Sequence, residues 1–140
     1  MAADAFEKGL RIRKEVLGEA HVERTLQNAD DFSRPFQEAM TAYCWGEVWG
    51  REALPRRTRS LLNLAMLSAM NREEEFRLHV RAAFHNGVTK EEIREVLLQV
   101  MIYCGVPAAN SAFRQAREVF AEMEREEAAA DQGAHGGSEP

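Results

Sequence analysis

Apolar positions recur three and four residues apart through most of the chain, the pattern of helices that each bury one face. Over residues 4–17, Phe6, Leu10, Ile12, Val16 and Leu17 form such a stripe, and Gly18 stands where a helix stop belongs. A short helical segment follows from His21 to about Asn28. Asp30 or Asp31 then caps a helix running from Phe32 to about Trp45, with Pro35 tolerated in its first turn. The stretch from Gly46 to Leu54 carries Gly46, Trp49 and Gly50 and reads as a loop or a broken helix.

Pro55 suits the first turn of the next helix. From Thr58 to Met70 the residues TRSLLNLAMLSAM are apolar around most of the helix, which predicts the buried central element. Asn71 interrupts it, and Arg72 to His85 continues as a charged amphipathic helix ending at the left-handed cap Asn86-Gly87. Thr89 and Glu92 have the spacing of a capping box and start a helix that runs to about Cys104. Gly105-Val106-Pro107 breaks it, and a last helix from Ala108 to about Glu127 presents Phe113, Ala116, Val119, Phe120 and Met123. No alternating strand pattern and no internal repeat is present. The reading is one all-α domain over residues 1–127, of about six to seven helices around a central antiparallel hairpin. The remainder, 128–140, is expected to be disordered, because it has little to bury.

Composition narrows the classes of function. A chain of 140 residues with 45% hydrophobic residues builds one core and not two. A net charge of −5 argues against phosphate-neutralising nucleic-acid binding. No apolar run approaches the ~20 residues of a membrane span, and the N-terminal residues lack the order of a secretory signal. Cys44 and Cys104 stand far apart without a CxxC spacing, so a reduced cytoplasmic setting is expected. Of 18 basic residues only Lys8, Lys14 and Lys90 are lysine. Gene base composition accounts for that, or a need for forked carboxylate binders does. The common nucleotide, nucleophile-elbow and zincin motifs are missing. Glu75 and His79 share a helical face at a spacing compatible with metal ligation, but no third ligand is near in sequence, so no metal is expected.

Four stretches carry a specific likeness: GLRIRKEVLGEAHVER from Gly9 to Arg24, WGEVW from Trp45 to Trp49, LPRRTRSLL from Leu54 onward through Leu78-His79, and NGVT from Asn86 followed by IYCGVPAAN to Asn110. Together they resemble the 4-carboxymuconolactone decarboxylases of aromatic catabolism, within the alkylhydroperoxidase-D-like superfamily. The resemblance implies that superfamily's helical fold. In the peroxidase branch a Cys-x-x-Cys-x-x-x-His motif does the chemistry; counting back from His79, this chain has Arg72 and Glu75 at the cysteine positions and Ser60 near that branch's glutamate. Thiol peroxidase activity, which needs the thiolates, is therefore not expected.

The reaction that the resemblance implies is loss of CO2 from a small dicarboxylate lactone, 4-carboxymuconolactone, to give 3-oxoadipate enol-lactone. The lactone carbonyl accepts the electron pair, so no cofactor is needed. The protein must hold a dianion, stabilise charge on the lactone oxygen and see the dienolate protonated. Arg13, Arg24, Arg57 and Arg59 are candidates for the carboxylates, and His79 is the first candidate for proton delivery. Glu47 is the second, since a carboxyl beside tryptophan rings has a route to staying protonated. His21 is a candidate for a carboxylate or the lactone oxygen, Trp45 for an apolar wall, and Tyr103 for an oxyanion donor. The resemblance also implies a homo-oligomer, trimeric or hexameric. The alternative is a non-catalytic or differently reactive oligomer on the same scaffold.

Overall fold

The computed structural model describes residues 2–135, which form helices and turns with no strand among them. The helices are α1 (Ala2–Leu17), α2 (Glu19–Gln27), α3 (Arg34–Met40), a π-helical segment (Thr41–Val48), α4 (Arg56–Ala69), α5 (Glu73–His85), α6 (Lys90–Cys104) and α7 (Val106–His135). Gly18 and Gly105, at φ 98° and 100°, separate α1 from α2 and α6 from α7 in a conformation that side chains with a Cβ resist. Asn71, at φ 57°, makes the tight turn that folds α5 back along α4, and asparagine is among the few residues that accept that geometry. The expected capping box is present: the Thr89 hydroxyl accepts from the Glu92 amide, and the Glu92 carboxylate accepts from the Thr89 amide.

Two cores result. Leu64, Phe76, Val80, Ile93, Leu97, Ala112, Ala116 and Val119 pack α4, α5, α6 and α7 into a bundle. Ile12, Val16, Leu17, Val22, Trp45, Trp49 and Ala82 pack α1, α2 and the π segment against α5. Helix α5 thus belongs to both, and its buried residues face in two directions. Outside the bundle, Arg81 of α5 donates to Glu122 and Glu126 of α7, and Arg77 pairs with Glu118, a surface network of modest stabilising value.

Three expectations from the sequence change. The stretch read as a loop or a broken helix from Gly46 is helical through Val48 and breaks only after it. Wide π turns let it lie against α1, where Gly9 and Gly46 bring the two backbones together. A Cβ on Gly9 would stand 1.8 Å from the Thr41 carbonyl oxygen, and one on Gly46 would stand 2.5 Å from that of Ala5. Gly9→Ala is therefore expected to lower stability by about 1–3 kcal/mol or more, as overpacking against rigid backbone does; urea denaturation checks it. Second, α4 is not buried all round: Ser60, Leu64 and Ser68 face inward while Leu62, Met66 and Met70 stay exposed. Third, α7 continues through the first eight residues of the expected tail, because alanine-rich sequence favours helix even without a face to bury; residues 136–140 lie outside the described part.

Candidate active site

The π segment carries the site. Its Thr41 and Trp45 lie four residues apart, near one turn of a π-helix, and so share a face. Thr41 holds Arg13 of α1, while Trp45 reaches His79 of α5. π-Helical turns are uncommon and concentrate at functional sites.

Arg13 is only 4% exposed. Its Nη1 donates to Gln37 Oε1 and to Thr41 Oγ1, both at 3.0 Å, and the Thr41 hydroxyl donates in turn to the Gln37 carbonyl at 2.7 Å. Its Nε is buried without a partner, and no carboxylate pairs with it among the described residues. Burial lowers the Arg13 pKa, with Cys44 opposing. A guanidinium buried among neutral groups is costly, by several kcal/mol, unless an anion arrives to balance it. Arg24 adds to the positive field. His21 is half-buried, and its pKa falls first through burial and then through the charges of Arg13 and Arg24. Burial raises the Cys44 thiol despite the same Arg13 charge, so it stays protonated.

His79, 9% exposed, meets the π segment at Trp45, four residues on from Thr41. Trp45 and Trp49 stack on each other with centroids 5.0 Å apart. The imidazole lies 6.4 Å from both rings, 4° from parallel with Trp45 and 25° from Trp49. Its Nδ1 stands 3.4 Å from the carboxamide Nδ2 of Asn63 on α4. Desolvation in this apolar wall pushes the His79 pKa down to about 4, with Glu75 one turn earlier pulling the other way. At pH 7 the imidazole is therefore held in its neutral form.

A cleft of about 450 Å³ opens beside Trp49 and Ile12, rimmed by Lys8, Arg11, Arg51 and Arg56. Of these, Arg56 pairs with Glu15.

The structure thus brings Arg13, His21 and Arg24 together, with Arg24 exposed and acting through its charge, and sets His79 against Trp45; the π segment joins the two through Thr41 and Trp45. Arg59 is half-buried with an unpartnered Nε, and its Nη2 donates to the Arg51 carbonyl at 3.4 Å. Arg57 is taken by an ion pair with Glu92. Glu47 lies exposed between its buried tryptophan neighbours, outside the apolar surround that made it the second acid candidate. The reason is geometric: consecutive helical residues point in different directions, so flanking by tryptophans in sequence is not contact with them. Tyr103 is 82% exposed and lines a separate groove between α4 and α6, so it does not join this group. Gln37, Thr41 and Asn63 were not legible as site residues, since nothing in their spacing marks them. Among the described residues no three His, Cys, Asp or Glu side chains are grouped to hold a metal ion.

Known proteins share this arrangement's sequence. The model of the carboxymuconolactone decarboxylase family matches residues 34–118, a span that contains Trp45, Trp49, Asn63 and His79. The chain belongs to the carboxymuconolactone decarboxylase family. It is 50% identical over 118 residues to 4-carboxymuconolactone decarboxylase of Acinetobacter baylyi, covering 84% of this chain and 88% of that one. It is 42% identical over 118 residues to a nitrosuccinic acid decarboxylase of Metarhizium robertsii, covering 84% and 82%. A 4-carboxymuconolactone decarboxylase of Pseudomonas putida is 40% identical over 42 residues, 30% of this chain and 88% of that one.

Proposed function

We propose that this protein is a carboxy-lyase that removes CO2 from 4-carboxymuconolactone to give 3-oxoadipate enol-lactone, using no cofactor. The identity of 50% over most of both chains to an enzyme of that name carries the reading. The geometry supports it through Arg13, a buried cation with only neutral partners, which suits an anionic substrate.

In this reading Arg13, with Arg24 adding positive field and the His21 imidazole beside them, holds the acetate arm, and Arg59 adds an unpartnered donor. The departing carboxylate sits against the tryptophan wall. A strong clamp there would stabilise the charged ground state and slow its loss, so an apolar surround serves better. As CO2 leaves, the electron pair moves through the ring double bond to the lactone oxygen. His79 is neutral, so its role shifts from the proton delivery expected of it. Its remaining N–H donates to the developing oxyanion, and solvent supplies the proton taken up at carbon. This is how a neutral imidazole serves as an electrophile elsewhere. The basic rim of the cleft beside Trp49 draws a dianion inward.

Purified protein is expected to bleach the ultraviolet absorbance of 4-carboxymuconolactone with stoichiometric CO2 release, and to do so equally after exhaustive chelation. Loss of activity on chelation with return on adding a divalent ion would sink the cofactor-free reading. A second substrate, nitrosuccinic acid, has support from the 42% identity to the fungal enzyme. It too is a small diacid with a built-in electron sink, a nitro group on the carbon that loses CO2 in place of a lactone carbonyl conjugated to it, and the same CO2 assay run with it ranks the two.

The same proposal includes a homo-oligomer and cytoplasmic residence. Leu62, Met66 and Met70 on α4 and Ile102 and Tyr103 on α6 leave an apolar face, with a groove of about 440 Å³, exposed on the single chain. No described helix is long and apolar enough to cross a membrane, and both cysteines are free, as in a reducing compartment.

A further inference from the structure

His79 is buried, and a buried neutral imidazole has one N–H and one lone pair whose places must be settled by its neighbours. Two neighbours act on it in different ways. The tryptophan pair fixes the plane of the ring, since Trp45 lies within 4° of parallel at 6.4 Å. Stacking alone leaves the ring free to present either nitrogen. The in-plane choice falls to Asn63, which lies on α4 opposite His79 across the hairpin, its carboxamide Nδ2 3.4 Å from His79 Nδ1.

We propose that Asn63 is a positioning residue that keeps His79 in the tautomer protonated on Nε2 and aims that N–H at the substrate. A carboxamide N–H directed at Nδ1 is satisfied only by a lone pair there. The proton is then left on Nε2, the nitrogen farther from the α4–α5 contact. The same contact disfavours the imidazolium, because a proton added at Nδ1 would face the N–H of Asn63. Asn63 therefore acts with burial to keep the imidazole a neutral donor. The groups around the ring on other elements, Trp45, Trp49 and Asn63, do not titrate, and the charge acting on it is Glu75 on its own helix. This inference rests on His79 serving as the donor in the proposed decarboxylation.

The test is nitrogen NMR of the full-length protein labelled with ¹⁵N-histidine, free of substrate, paired with kinetics on 4-carboxymuconolactone. In the wild type, Nδ1 of His79 is expected to resonate as a bare nitrogen and Nε2 as a protonated one. Asn63→Asp replaces the donor with an acceptor. It should transfer the proton to Nδ1, raise the His79 pKa, and introduce a new limb into the pH profile of kcat. It should also lower kcat by about 10²-fold or more with little change in KM, the cost of losing an aimed donor. Asn63→Leu should leave a mixture of tautomers and a smaller loss. A wild-type spectrum with the proton on Nδ1 overturns the proposal, whatever the variants do. So does an unchanged tautomer in Asn63→Asp. Because the spectrum is read without turnover, a protein that has the Nε2 tautomer but no decarboxylase activity refutes the functional reading and not the role of Asn63 in orienting the ring.

Discussion

Replacing His79 with leucine is expected to lower kcat by about 10²- to 10³-fold, the usual cost of removing one preorganised donor to developing negative charge. KM should change little, because the charge on the lactone oxygen appears only in the transition state. The informative comparison is His79→Gln. Glutamine retains an N–H of similar reach, so it should recover part of the loss; a residue that shuttles a proton cannot be replaced by an amide that does not titrate. Glutamine as inactive as leucine would return His79 to the role of acid. Folding supplies a second readout. The folded pKa of about 4 lies below the ordinary histidine value of 6.5. Between these values the unfolded chain binds more protons than the native one, so the wild type loses stability as pH falls through that window. His79→Leu lacks this penalty. Its urea midpoint should therefore drop less than that of the wild type between pH 7 and pH 4.

Arg13→Met is expected to raise KM by about 10²-fold, the equivalent of ~2.7 kcal/mol for one charge-assisted contact with a carboxylate. Stability should move the other way or not at all. Methionine fills a similar volume without a charge to desolvate, and the partners left behind are neutral. Gln37 is half-buried and the Thr41 hydroxyl keeps its bond to the Gln37 carbonyl, so neither is stranded without recourse. Steady-state kinetics and a thermal melt on one preparation decide the matter. A variant that melts lower with an unchanged KM would mean that Arg13 serves the packing of α1 against the π segment and not the substrate.

How much of this was legible in the chain follows from the range of the interactions concerned. Helix starts and stops are decided within a few residues, and there the sequence is sufficient: the Thr89–Glu92 box, Gly18, Gly105 and the Asn71 turn all stand where local chemistry puts them. The expectation of no thiol peroxidase chemistry is equally local, since it follows from Arg72 and Glu75 occupying two positions. The resemblance also singled out Arg13, Trp45 and His79 as residue types suited to a dianionic lactone. Their environments are another matter. Only packing α5 against the π segment placed His79 against two indoles and lowered its pKa, on which its proposed role as a neutral donor rests. Only the approach of α1, permitted by Gly9 and Gly46, buried Arg13 beside Thr41 and Gln37 with no acid to meet it among the described residues. Glu47 lies exposed and Tyr103 lines a separate groove for the same reason, because sequence proximity and side-chain chemistry do not say which way a helix turns its face. Residue types and helix ends are written in short-range forces; pKa values, unpaired charges and the partner of His79 depend on what is excluded from water, and that is decided when the helices pack.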